Sequence, residues 1–337
     1  MMQHYYPIGS QAPKVVRGGG QRIDARVEQL PSLKGMSLSL LELNPRAVRE
    51  PHWHPNAHEL SYCTEGRGLM TIFGHGNNHD TFTIEPGAIA FVPIGYMHHI
   101  ENTGDVPLKM VLCFSHEDPE DLDLSRSVAV MPSHILAETA GNSKLFYDKN
   151  TKNHADTFIG EVKAKLAPTL PFMTNRYKLS LEDSSPQVST LGGWVKMSNR
   201  FLMSTLDELA VYAVLLKPKG AREPHWHPNA NELNYLTRGT ARITLLSPNG
   251  AVETFDMKAG DMSFLPQGYI HYIENTGPDE AHFAIFFSNT APSDIGLSGC
   301  FGAYSDEVIA SSFNIDPSLL ADMPRHQRDV LVISGGG

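Results

Sequence analysis

Apolar side chains fall in short runs along the chain, each broken by turn residues within a few positions. Met36 to Leu43 reads Met-Ser-Leu-Ser-Leu-Leu-Glu-Leu, close to the alternation that puts every second side chain on one face of a half-buried strand. Gly66 to Phe73, Thr81 to Ile84, Ile89 to Val92 and Leu108 to Phe114 predict further strands. Pro86-Gly87 and Asn102-Thr103-Gly104 supply turns between them. A second set follows at Val211 to Leu216, Ala241 to Leu246, Met262 to Leu265 and His282 to Phe287. Helical signal is confined to the ends of the two sets, best at Ser133 to Thr139 and Ser305 to Phe313. Many short strands at this spacing predict an all-β protein with a barrel or jelly roll in each half and short helices at the domain ends.

The two sets are copies of one unit. Arg49-Glu50-Pro51-His52-Trp53-His54-Pro55-Asn56-Ala57 recurs unchanged at Arg222 to Ala230, and the 173-residue offset holds without insertion from Gly19-Gly20 to Leu124-Ser125. It also matches Glu59 with Glu232, Gly66 with Gly239, Gly87 with Gly260 and His98 with His271. A gapless match of this length is duplication, not shared composition. The 337 residues divide into an arm (1–18), a first domain (19–140), a mixed linker (141–185) and a second domain with a helical tail (186–337). Each half is long enough to bury its own core, and the arm is expected to clasp the other lobe.

Charge narrows the partners. Against 27 basic residues stand 37 acidic ones, a net of −10, so the chain lacks the basic footprint that nucleic-acid binding requires. No run approaches the length of a membrane span. Met1 to Ser10 holds no basic stretch followed by an apolar one, and Cys63, Cys113 and Cys300 are too few and scattered for a disulfide framework. A reducing, cytoplasmic setting is the expectation.

Sixteen histidines change the picture. On a strand His52 and His54 project to one face while Trp53 points away. Pro55-Asn56-Ala57 then bends the chain before Glu59, and His98 follows Gly95 at the end of a later strand pair. Three imidazoles and one carboxylate in a barrel mouth make a mixed nitrogen and oxygen site suited to divalent Mn, Fe, Co, Ni or Zn. The second copy supplies His225, His227, Glu232 and His271. A single His-x-His is more often decoration than a site; the same four-residue set twice at matching spacing is not. His58, His75, His79, His99 and His116 have no histidine mate and read as exposed or as neighbours of the ligands.

These residues carry a resemblance. His52 to Gly66 and Gly87 to Asn102, repeated as His225 to Gly239 and Gly260 to Asn275, resemble the two signature motifs of the cupin family, and two copies make a bicupin. The phrase Arg-Glu-Pro-His-Trp-His-Pro-Asn-Ala looks like that of the oxalate decarboxylase group. The resemblance covers roughly residues 19–315. It implies two Mn(II) sites, a small carboxylate substrate, and cleavage of oxalate to formate and carbon dioxide with dioxygen required. It also implies a homo-oligomer, a trimer or a hexamer built from two trimers. Related enzymes oxidise oxalate to peroxide instead. A different cupin enzyme (dioxygenase, oxidase or isomerase) on another small acid, or a non-catalytic metal or ligand binder, stays open.

The same resemblance assigns further roles. Arg49 and Arg222, three residues before the first ligand, would reach the bound substrate, with Pro51 and Pro224 permitting the bend that odd spacing needs. A glutamate on a lid would supply the proton. Here that place reads Ser115-His116-Glu117-Asp118-Pro119-Glu120-Asp121, which lacks the family's lid motif and makes Glu117 and Glu120 the candidate acids. The second domain's loop has one acid, Asp294, so the first domain is the better candidate for chemistry. Leu60 and Leu233 replace the tryptophan usual after the ligand glutamate, and a differently shaped pocket wall is expected.

Overall fold

The structure is a computed structural model that describes residues 3–149, 157–163 and 175–335. Positions 150–156 and 164–174 of the expected linker lie outside the described residues.

Antiparallel strands build two barrels, each of two facing sheets. In the first barrel one sheet runs Lys178–Ser180, Ala88–Val92, Glu59–Glu65, Leu108–Phe114, Ser37–Leu43, Gly20–Ala25, Val15–Arg17. The other runs Leu122–Asp123, Ala47–Trp53, Met97–Asn102, Gly68–Phe73, His79–Ile84, with Ile159–Glu161 also paired to Ala47–Trp53. The second barrel repeats both sheets strand for strand, ending with Val332–Ser334 on Gly220–Trp226.

Period two decides what each strand buries. Met110, Leu112 and Phe114 fill the first barrel with Leu41, Leu43, Cys63 and Ile100. Val111 and Cys113, one residue out of phase, join Leu38, Leu60 and Tyr62 in a second apolar layer. That layer continues into Val211, Leu233, Phe264 and Phe286 of the other half, so the barrels pack face to face across it. The strand predicted half-buried at Met36 to Leu43 thus packs on both faces, Leu38 in one layer and Leu41 and Leu43 in the other. The expectation for Leu60 and Leu233 is corrected by the same rule: each follows its ligand glutamate by one position and points into the layer between the barrels, not into the pocket wall.

The duplicated unit extends further than sequence matching carried it. Tyr5–Tyr6 pairs with Met262 and Ser263 of the second barrel, and Lys178–Ser180, at the same offset, pairs with Ala88 to Ala90 of the first. Each half therefore lends an edge strand to the other. Gly20 and Gly193 occupy equivalent places with φ of 153° and 150°; a Cβ there would meet a carbonyl oxygen at 2.1 Å or 1.9 Å, so both lead-ins need glycine.

Helices cap the ends. Ser133–Ala140 and Asp306–Phe313 stand where periodicity placed them, and the Ser305 side chain accepts from the Val308 amide at the start of the latter. Leu124–Val130 and Leu297–Ala303 were not anticipated. Among the described residues no helix is long and apolar enough to cross a membrane. Trp53 and Trp226 are partly buried, and Trp53 pairs with Leu122 of the short strand Leu122–Asp123.

Candidate metal centres

Each barrel gathers one quartet. His52, His54, Glu59 and His98 are buried with their donor atoms within 4.8 Å of one another, and His225, His227, Glu232 and His271 do the same. His98 stands opposite His52 across adjacent strands, as His271 stands opposite His225. Glu59 and Glu232 open strands of the facing sheets.

The hydrogen bonds around the rings set which nitrogen faces inward. Nδ1 of His52 lies 2.8 Å from the Glu50 carbonyl, that of His54 2.9 Å from the Glu120 carbonyl, and that of His98 3.1 Å from the Tyr96 carbonyl. The second centre repeats this with Glu223, Ser293 and Tyr269 at 2.6, 2.9 and 2.8 Å. A carbonyl only accepts, so all six Nδ1 atoms carry hydrogen and all six Nε2 atoms face the gap. There they meet carboxylate oxygens: His54 Nε2 is 3.2 Å and His98 Nε2 3.4 Å from Glu59 Oε2, and His227 Nε2 is 2.7 Å from Glu232 Oε2. Three ring nitrogens converging on a carboxylate in a buried space make a pocket that a cation can fill. Nε2 of His98 and His271 and Oε1 of Glu232 have no hydrogen-bond partner among the described residues. The donor set fits a divalent metal.

Electrostatics divide the rings: against burial, the bonds to Asp121 and Glu59 push the His54 imidazole up to about 9, and Glu232 pushes His227 up. Burial, reinforced by Arg49, pushes the His52 imidazole well below its ordinary value and keeps it neutral; burial and Arg222 do the same to His225. Burial alone would raise Glu59, but His54 and His98 hold its carboxyl well below the usual range. Phe114 packs edge-on to His54 with ring centroids 5.0 Å apart, and Phe287 to His227 at 4.9 Å, so apolar walls back both centres.

A bulge brings the arginines to the same side as the ligands. Ile100 pairs with Arg49 although His98 pairs with His52, so three steps on one strand match two on the other; Arg222 and His225 repeat it. The bend expected at Pro51 and Pro224 is this bulge. Arg49 is 2% exposed, stacks its guanidinium 3.7 Å from the Phe158 ring centre and bonds Asp123 through Nη1. Arg222 Nη2 lies 3.1 Å from His225 Nε2 and 2.6 Å from Asp294 Oδ1. Glu50, the neighbour of Arg49, holds the Ser125 and Phe158 amides at 2.8 and 2.6 Å.

The loop acids are placed differently from one another. Glu117 accepts the Gly35 amide at 2.8 Å, which holds its carboxyl below its ordinary value. Glu120 is exposed at the rim; its carbonyl receives His54, and its amide donates to Asn56 Oδ1 at 2.9 Å. The loop carboxylate that touches a ligand is Asp121, 3.0 Å from His54 Nδ1 and 2.8 Å from Arg22 Nη1. Sequence reasoning passed over Asp121, Asp123 and Arg22. Asp121 and Asp294 share the 173-residue offset, and that pairing was the available signal. Asp123 and Arg22 have Gly296 and Val195 as mates and carry no such signal.

Among the unmatched histidines, His58 is buried, stacks on Phe91 and accepts the Ile94 amide at 3.0 Å. Cys63, Cys113 and Cys300 are free thiols.

Known proteins share this plan. The family profile described as Cupin matches residues 6–145 and 179–319. The oxalate decarboxylase of Bacillus subtilis (strain 168) is 25% identical over 287 residues, spanning 83% of this chain and 74% of the relative. A probable oxalate decarboxylase of Arthroderma benhamiae is 24% identical over 322 residues, 93% of this chain and 79% of the relative. The structure of oxalate decarboxylase from Bacillus subtilis at pH 4.6 superposes with a TM-score of 0.87 at 21% identity, covering 100% of this chain and 88% of that one.

Proposed function

Because this chain belongs to the cupin family and carries the family's domain twice, we propose that it is a manganese-dependent enzyme that cleaves oxalate to formate and carbon dioxide. The observation that carries the reading is the pair of buried quartets, each with a guanidinium held at the same side by a strand bulge. Relatives that match most of the chain and bear the name oxalate decarboxylase support it. His52, His54, Glu59 and His98 would hold one Mn(II) and His225, His227, Glu232 and His271 the other. Bound there, the ion supplies positive charge and coordination positions for a small carboxylate.

The chain's own groups do the rest. Arg49 offers a charge-assisted hydrogen bond to a carboxylate, worth roughly 1.5–3 kcal/mol. Phe158, its ring centre 3.7 Å from the Arg49 guanidinium, keeps water from that face and strengthens the bond. Breaking the carbon–carbon bond releases carbon dioxide and leaves a carboxylate carbon that must take a proton to become formate. Glu120, exposed at the rim with its main chain anchored to His54 and Asn56, is our first choice of donor. Glu117 is the second, since it must first release the Gly35 amide. A positioned acid contributes about 10²–10⁴-fold.

We also infer a homo-oligomer in a reducing, cytoplasmic setting. Exposed Leu191, Phe201 and Leu319 support self-association, and three unpaired thiols support the compartment.

The deciding experiment measures metal content of protein purified without added metal, then products from oxalate in air. Manganese and formate are expected. Iron in place of manganese, or peroxide in place of formate, would replace decarboxylation with an oxidative chemistry. Metal without any turnover would leave a binder. Glu120→Gln should cut turnover about a hundredfold or more with metal content intact; unchanged turnover in both Glu120→Gln and Glu117→Gln removes the loop-acid assignment.

A further inference from the structure

The two halves treat their equivalent loop acids in opposite ways. In the first, Arg22 takes Asp121 Oδ2 at 2.8 Å, and His54 Nδ1 lies 3.0 Å from Oδ1. Asp123 meanwhile engages Arg49 through Nη1. Arg49 Nη2 stays 3.6 Å from Asp121 and has no hydrogen-bond partner among the described residues, although the side chain is buried. A buried guanidinium nitrogen without a hydrogen bond is free to donate one to an incoming anion.

The second half lacks both diverting groups. Val195 stands at the place of Arg22 and Gly296 at that of Asp123. Without Arg22's counterpart to draw it off, Asp294 turns to Arg222, and without Asp123's counterpart Arg222 pairs with no other carboxylate among the described residues. The pair closes at 2.6 Å through Nη2. The same Nη2 faces His225 Nε2 at 3.1 Å, Asp294 Oδ1 lies 3.8 Å from that nitrogen, and Nη1 donates to the Leu331 carbonyl at 2.8 Å. The donor edge that faces the ligands is already filled by a carboxylate. An incoming anion must displace Asp294 and leave a largely buried charge without its partner, which disfavours entry.

We propose that the two centres divide their roles: a small carboxylate binds at the first, on Arg49 Nη2, while Asp294 acts as a built-in carboxylate that closes the second. The division rests on the reading of the chain as a carboxylate-binding metal enzyme. It makes Asp294 a specificity-determining residue and turns two nearly identical ligand sets into one open and one shut. The switch between them is the identity of two pairs of positions, 22 with 195 and 123 with 296.

Calorimetric titration of the manganese-loaded protein with oxalate under nitrogen, where no dioxygen permits turnover, tests it. One oxalate per chain is expected for the wild type and two for Asp294→Asn. Arg49→Gln should weaken the single wild-type event by about tenfold or more. In parallel, the Mn(II) paramagnetic resonance spectrum should change at one of two ions on adding oxalate, and at both in Asp294→Asn. Two oxalates per chain in the wild type overturns the division, as does a single oxalate in both Asp294→Asn and Asp294→Ala. Should either variant fail to fold, the wild-type stoichiometry and the Arg49→Gln titration still decide. No binding to any of these proteins overturns the carboxylate reading itself, and the division with it.

Discussion

Glu59 Oε2 and His98 Nε2 lie 3.4 Å apart although their strands belong to different sheets of the first barrel. An ion between them ties one sheet to the other, and Glu232 with His271, also 3.4 Å apart, repeats the tie in the second barrel. Metal is then part of the fold's stability. At a free concentration a hundredfold above its Kd, one ion contributes about 2.7 kcal/mol. Stripping the protein with a chelator should therefore lower its Tm by roughly 5–10 °C per site at 2–4 °C per kcal/mol. Adding Mn(II) back should restore it. A chelated protein that melts with the untreated one would show that no ion bridges the sheets.

Because each quartet lies inside its own barrel core, the sites should load independently. His52→Ala is expected to bind one ion per chain and His225→Ala likewise, with the double variant binding none. Elemental analysis after gel filtration reads this directly. Loss of both ions from either single variant would mean that the two sites form only together.

How much of this was legible beforehand differs by kind of interaction. The quartets were readable because their spacing is local in three of four members and the duplication printed them twice. The strands were readable because apolar runs bounded by turn residues survive burial on both faces: Leu108–Phe114 and Met262–Leu265 fall where those runs put them. The environment of Arg49 was not readable. It depends on Asp123 and Phe158, which are 74 and 109 residues away, and no local pattern ties them to it. The exchanged strands escaped for another reason: Tyr5–Tyr6 is two residues long, too short for any periodicity. Leu60 misled because its neighbour in sequence is a ligand, while on a strand neighbours face opposite ways.

The N-terminal arm should be structural. Ile8 is fully buried in the layer between the barrels, and the Gly9 amide donates to the Gly260 carbonyl at 2.9 Å. Tyr5 adds a hydrogen bond to Asp261 at 3.0 Å. Ile8→Ala is expected to destabilise by about 2–5 kcal/mol, the range for truncating a buried aliphatic side chain. Urea unfolding would measure it. A difference below about 1 kcal/mol would show the arm detached in solution.

A last prediction concerns acid. Glu182 bridges the barrels: Oε1 accepts the Tyr62 hydroxyl of the first at 2.6 Å and lies 3.0 Å from His282 Nε2 of the second. Burial would raise its carboxyl, but the bond to His282, with Tyr62 and Lys196 beside it, outweighs burial and lowers it. A carboxyl depressed in the folded state contributes stability that is present above its unfolded value, about 4.3, and is lost as pH falls through the folded one. Glu182→Gln keeps the shape and removes the charge. At neutral pH it should destabilise by about 1–3 kcal/mol, the range for hydrogen bonds to charged groups. Near pH 3.5 the gap should narrow, because the wild-type carboxylate is then giving up the same stability. Urea midpoints of both proteins at the two pH values make the comparison, and a gap that stays constant would mean that the bridge acts through packing and not through charge.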